Sequence, residues 1–144
     1  MSDSVHTYAK AQLAEIQLER ALQLFLEQED YVCAITLAGA AEELLGKLLE
    51  HLGETSTLKG LVDECVAVGR TVHGLHGKDW PTSWFSEIIT FPRNDLKHIG
   101  DGGPVSLSRD TVVAILCRAI TNYRRLTGQE SVRMKRFIAE NYGV

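Results

Sequence analysis

Asp30-Tyr31-Val32-Cys33-Ala34-Ile35-Thr36-Leu37-Ala38-Gly39-Ala40-Ala41-Glu42-Glu43-Leu44-Leu45-Gly46-Lys47-Leu48-Leu49-Glu50-His51-Leu52-Gly53 is the stretch that decides the fold. Tyr31, Val32, Ile35, Leu37, Ala38, Ala41, Leu44, Leu45, Leu48 and Leu49 spread around nearly the whole circumference of a helix. A helix that is apolar all round belongs inside a protein. Asp30 can cap its start, and Gly53 ends it. The small residues Ala34, Ala38, Gly39 and Ala40 let neighbouring backbones come close. The stretch therefore predicts a central, most buried helix over about 31–52, with the rest of the chain packed around it.

Working outward, the flanking segments carry the same period. In 5–28, Ala11, Ala14, Leu18, Ala21, Leu22 and Phe25 follow helical spacing, with Glu15, Glu19 and Arg20 elsewhere. Ser56 or Thr57 caps a helix over about 57–73, with Leu58, Leu61, Val62, Cys65, Val66 and Val72 on one side. Residues 74–80 read as a loop, and Pro81 opens a short helix through Thr90 that carries Trp84, Phe85, Ile88 and Ile89. Ser106 or Ser108 caps a long helix to about Thr127, with a stripe of Val112, Ile115, Leu116, Ala119, Ile120, Tyr123 and Leu126. Gly128 ends it. The tail over 129–142 is helical, setting Arg133, Lys135 and Arg136 against Val132, Phe137 and Ile138. No segment reads as a strand. The predicted architecture is all-α: an up-down bundle of four long helices with short additional ones. It forms a single domain over 1–144, with a core from about 5 to 127.

Composition narrows the class. At 144 residues the chain can bury a core, and 44% hydrophobic with 24% charged residues is ordinary for a soluble globular protein. No apolar run reaches the length of a membrane span, and the first residues lack the charged and apolar regions of a signal peptide, so no membrane partner is expected. Cys33, Cys65 and Cys117 are odd in number, far apart and set among apolar helical residues. They read as buried thiols of a reducing cytosol, and a cytoplasmic location follows. Residues 1–90 hold 6 Lys and Arg against 14 Asp and Glu, whereas 91–144 hold 9 against 5. That asymmetry fits either an anionic partner for the second part or acidic and basic helices that neutralise each other.

Between the apolar segments lies Phe91-Pro92-Arg93-Asn94-Asp95-Leu96-Lys97-His98-Ile99-Gly100-Asp101-Gly102-Gly103. A guanidinium, a carboxamide, an ammonium and an imidazole fall within six residues here and nowhere else. Pro92 suits a first helical turn, and the glycines with Pro104 stop the helix, so the motif reads as a short helical piece or a helix restart. On such a piece Asn94 and His98 share one face, and Arg93 and Lys97 share the next. Arg93 and His98 stand roughly 140° apart around the axis.

Arg93, followed at once by Asn94 and then His98 five residues after the Arg, resembles the signature of the HEPN family (higher eukaryotes and prokaryotes nucleotide-binding). Ala40-Ala41-Glu42-Glu43-Leu44-Leu45 resembles that family's second helix. The resemblance implies a metal-independent endoribonuclease domain of the kind found in toxin–antitoxin or defence systems, acting on RNA. It implies a homodimer in which two motifs face one cleft, and an antitoxin or other protein partner. No metal or organic cofactor is implied. Its chemistry suits the residues. A neutral imidazole at His98 can take the proton of a ribose 2′-OH. Arg93 can hold the scissile phosphate and stabilise its growing charge, Asn94 can orient either, and Lys97 adds positive potential for substrate. A subgroup carries Tyr two residues after the His as a modification target; this chain has Gly100 there, so that route of control is not expected.

The alternative is a non-catalytic nucleotide- or protein-binding module in which Arg93 pairs with Glu42 or Glu43 and His98 closes a helix end. The direction of the Arg93 and His98 side chains separates the two. A shared open cleft favours catalysis, and burial beside carboxylates favours structure. Other chemistry is weaker. His73 and His76 beside Asp79 lack a full metal-ligand set. Glu42 and Glu43 lack the His three residues on that a carboxylate-bridged metal bundle uses. Arg124, Arg125, Arg133, Lys135 and Arg136 form either phosphate contacts or a solvated face. No phosphate-binding glycine loop or nucleophile-elbow pattern is present.

Overall fold

In a computed structural model, which describes residues 3–76, 82–98 and 100–143, every regular element is helical. The order is α1 (Lys10–Gln28), α2 (Tyr31–His51), α3 (Thr57–His76), α4 (Thr82–Lys97), α5 (Arg109–Thr127) and α6 (Val132–Tyr142).

The boundaries follow from local chemistry. Ala9 donates its N–H to Gln12 Oε1 (2.9 Å) at the entrance to α1. Glu29 ends that helix in the left-handed region (φ 52°). Asp30 Oδ1 then accepts the Cys33 N–H (3.1 Å), satisfying one of the open donors at the start of α2. Only Glu29 and Asp30 separate the two helices, so α1 folds back along α2. Ser108, not Ser106, caps α5 through the Thr111 N–H (3.2 Å). Gly128 closes it at φ 69°, a conformation that glycine enters without steric cost.

α2 is the centre. It packs against α1, α5 and α4, and buries Ala34, Ile35, Ala38, Ala41, Leu45 and Leu49. α1 meets it with Ala14, Leu18, Ala21, Leu22 and Phe25, and α5 with Val112, Ile115, Leu116, Ala119 and Ile120. The last helix belongs to the same core: Met134 and Phe137 are fully buried, and Phe137 meets Phe25 edge-on at 5.5 Å. Burying each such side chain contributes about 1.5–3 kcal/mol before entropy is counted.

The remaining pair is built differently. α3 and α4 pack mainly on each other, and among their described side chains neither supplies a fully buried apolar one to the main core. Leu61, expected on the apolar side of α3, is 36% exposed, and Val62 is the buried apolar side chain among the described residues of α3. α3 runs to His76 rather than ending at residue 73. The motif is not a separate helical piece either. α4 continues through Pro92 to Lys97. Pro92 costs the bond to the preceding turn, but the helix is anchored on its far side by a buried arginine.

Candidate functional site

That arginine is Arg93. Its stem crosses α2 at Gly39, where an added Cβ would stand 2.5 Å from Arg93 Cδ and 2.6 Å from Cγ. Only glycine leaves the channel open. One turn further along α2 stands Glu42, 1% exposed, with its Oε2 3.5 Å from Arg93 Nη1.

Glu42 is already satisfied from the other side. Arg118 of α5 donates Nε to Oε1 (2.7 Å) and Nη2 to Oε2 (3.4 Å). Two guanidiniums, each 8% exposed, therefore share one buried carboxylate. They do so unequally. Arg118 is hydrogen-bonded, whereas Arg93 is attracted by charge without hydrogen-bonding geometry, and its Nε and Nη1 have no acceptor among the described residues. Buried donors without partners are uncommon, and each costs about 1–3 kcal/mol.

A second buried polar residue ties the frame together. Asn122, on α5 one turn after Arg118, donates Nδ2 to the Glu42 carbonyl (3.3 Å) and accepts the Thr57 N–H at Oδ1 (3.0 Å). Ser56 Oγ accepts the Lys59 N–H (3.1 Å), so the start of α3 is held by its own cap and by α5. Around these groups lies an open cavity of about 360 Å³, bounded by Glu42, Glu43, Lys47 and Glu50 of α2, Ser86, Thr90, Arg93 and Asn94 of α4, and Ser56 and Asn122.

The four motif residues divide. Arg93 and Asn94 line this cavity; Lys97 and His98 do not. Asn94 donates Nδ2 to Thr90 Oγ1 (3.3 Å), and its side-chain oxygen has no donor among the described residues. Lys97 Nζ lies 3.5 Å from Glu43 Oε2, and Lys47 reaches Glu43 Oε1 at 3.1 Å. The Lys47 hydrogen bond is the main cause that holds the Glu43 carboxyl below its ordinary range. His98 follows the end of α4. Its N–H donates to the Asn94 carbonyl (3.1 Å), and its side chain is exposed. Within one chain, Arg93 faces inward and His98 faces solvent, as the wide angle between them requires.

Arg118 and Asn122 were not singled out from sequence. A signal was there: each stands three residues after an apolar stripe position, Ile115 or Ala119, and so lies on the buried face of α5. The basic second half is largely matched. Arg133 reaches Glu19 (3.6 Å) and Glu27 (3.7 Å) of α1, Arg125 reaches Glu54 (3.7 Å), and Arg124 reaches Glu130 (3.8 Å). The asymmetry is thus in large part acidic and basic elements packed side by side. All three thiols are free, but Cys33 is exposed, contrary to the buried setting expected of it. It occupies the first turn of α2, whose outer side faces solvent.

The His73, His76 and Asp79 cluster lies outside the described side chains. Among the described residues, no group of three or more His, Cys, Asp or Glu is placed to hold a metal. No helix of the described residues is long and apolar enough to cross a membrane. Compared with known proteins, the chain matches no family model, no curated protein and no solved structure.

Proposed function

We propose that the chain is a nucleotide-binding helical domain of HEPN type, taking a nucleotide, alone or within RNA, in the cavity beside Arg93. One observation carries the reading: a buried arginine lines a polar cavity together with Lys47, Thr90 and Asn94. A ligand rich in acceptors meets in this lining a guanidinium, an ammonium and a carboxamide that can donate to it. Glu42 and Arg118 hold Arg93 in place before the ligand arrives, so little ordering is required on binding. The motif then acts mainly as a structural binding element, since Arg93 is buried beside a carboxylate. Anisotropy of a labelled mixed-sequence RNA, with free nucleotides as competitors, tests this. Binding without shortening of the RNA is the expected result. RNA that stays unbound, with no nucleotide binding either, would contradict it.

The second reading is the metal-independent endoribonuclease, with His98 as base, Arg93 as phosphate ligand, and Asn94 and Lys97 in support. The exposure of His98 one turn beyond cavity-lining Asn94 favours it, because a strand leaving the cavity along α4 would meet that imidazole. A two-fold homodimer would bring His98 of one copy towards Arg93 of the other. RNA cleaved in excess chelator, with 2′,3′-cyclic ends, and spared by His98→Ala would establish this reading over the first.

A further inference from the structure

The buried triad of Arg93, Glu42 and Arg118 does not close electrically. Two guanidiniums and one carboxylate leave one positive charge in the interior. Glu43 does not supply the missing negative charge, because Lys47 and Lys97 both lie on it. An uncompensated buried charge is costly unless water or a counter-ion answers it. The two donors of Arg93 that lack an acceptor among the described residues are closed to solvent, so they offer no outlet. Arg118 does. Its Nε and Nη2 are engaged by Glu42, but Nη1 has no acceptor among the described residues and is not one of the side-chain nitrogens closed to solvent.

Arg118 lines a second cavity, an open groove of about 530 Å³ between α3 and α5. Arg118, Thr121 and Arg125 follow helical spacing along α5, and Gly60, Leu61 and Glu64 do so along α3, so two helix faces form its walls. Arg118 is the most deeply buried charge in it. The walls around that charge are largely apolar. Leu61 is partly exposed there, and a Cβ added at Gly60 would meet nothing within 4 Å. The remaining charges sit at the rim. Arg125 is answered by Glu54 at 3.7 Å, and Glu64 has no ion-pair partner among the described residues. Both carboxylates are exposed, so water and salt screen them far more than they screen the triad.

An anion with one compact charge and an apolar body meets both features of the groove. A carboxylate carries the single charge that balances the triad, and its oxygens accept readily from a guanidinium. A phosphate dianion would exceed the charge of the triad and leave the apolar walls uncovered. We propose that the α3–α5 groove is a binding site for a small organic monocarboxylate, with its carboxylate on Arg118 Nη1 and its apolar part along Leu61 and the open space at Gly60. The proposal does not depend on the nucleotide reading of the Arg93 cavity.

Calorimetry on the full chain with 3-phenylpropionate, its primary amide, propionate and inorganic phosphate tests it. 3-Phenylpropionate should bind and raise the melting temperature. The amide, which has the same body without the charge, should bind about tenfold more weakly or worse. Propionate, which keeps the head without the ring, should also lose about tenfold or more. Phosphate should not displace 3-phenylpropionate. Arg118→Gln disturbs the network at Glu42 and can fail to fold, so the variant that decides is Gly60→Leu. Its side chain enters the open space of the groove. It should weaken 3-phenylpropionate by about tenfold or more without lowering the melting temperature of the free protein. An amide bound as tightly as the acid, phosphate that displaces the acid, unchanged affinity in Gly60→Leu, or no binding of 3-phenylpropionate would each overturn the proposal.

Discussion

Arg93 Nη1 stands 3.5 Å from Glu42 Oε2 in the interior without hydrogen-bonding it, while Arg118 holds the same carboxylate with two hydrogen bonds. One arginine is therefore a fixed strut and the other a held but unsatisfied donor. The stability of the protein and its proposed ligand chemistry meet at this one carboxylate.

Removing that carboxylate strands two buried positive charges. Glu42→Ala should cost about 3–5 kcal/mol, a large share of the 5–15 kcal/mol typical of a domain. Urea unfolding gives the number directly. A loss below about 1 kcal/mol would show that both arginines escape to water when Glu42 is absent.

Gly39 and Gly60 should respond in opposite ways to the same substitution. Gly60→Ala meets nothing within 4 Å, so helix propensity should stabilise α3 by about 0.5–1 kcal/mol. Gly39→Ala drives a Cβ into the Arg93 stem, and the resulting shift should destabilise by about 1–3 kcal/mol despite the better propensity. Thermal melts of the two variants check the signs; a stabilised Gly39→Ala would mean that Arg93 does not cross α2 there.

The helices were legible in the sequence because their causes are local. Periodicity marked α1, α2 and α5, while Asp30 and Gly128 marked ends that the caps confirm. The separation of Arg93 from His98 was legible too, from spacing alone. The sequence also offered Glu42 as a partner of Arg93, one of two glutamates. Arg118 and Asn122 were harder, since their meaning depends on which face of α5 meets α2, a non-local fact. α4 was read as two pieces because Pro92 usually ends a helix, and the anchor that carries the helix past it lies on another element.

Asn122→Ala should loosen the start of α3. It leaves the Thr57 N–H without its acceptor and takes from the Glu42 carbonyl its donor from α5, at a cost of about 1–3 kcal/mol. Hydrogen exchange should rise first at Thr57, which loses its acceptor, before α2 and α5 are affected. Uniform change across all helices would argue instead for global weakening of the core.

Glu43 supplies a pH test. Its carboxyl is held low, first by the Lys47 hydrogen bond, so its folded value lies below its unfolded one. Such a group adds stability above the ordinary glutamate range and loses it as the pH falls through the lowered folded value. Lys47→Ala should raise the Glu43 midpoint in an NMR titration of its carboxyl carbon, and should flatten the acid-side fall in stability. An unmoved midpoint would assign the shift to Lys97 instead.

The most direct measurement is the Nε–H resonance of Arg93 during titration with GMP. Arg93 Nε has no acceptor among the described residues, whereas Arg118 Nε already donates to Glu42 at 2.7 Å. A ligand in the cavity should move the Arg93 Nε–H signal in a saturable way and leave that of Arg118 nearly still. If the Arg93 signal stays fixed through saturating GMP and AMP alike, the cavity does not bind nucleotides.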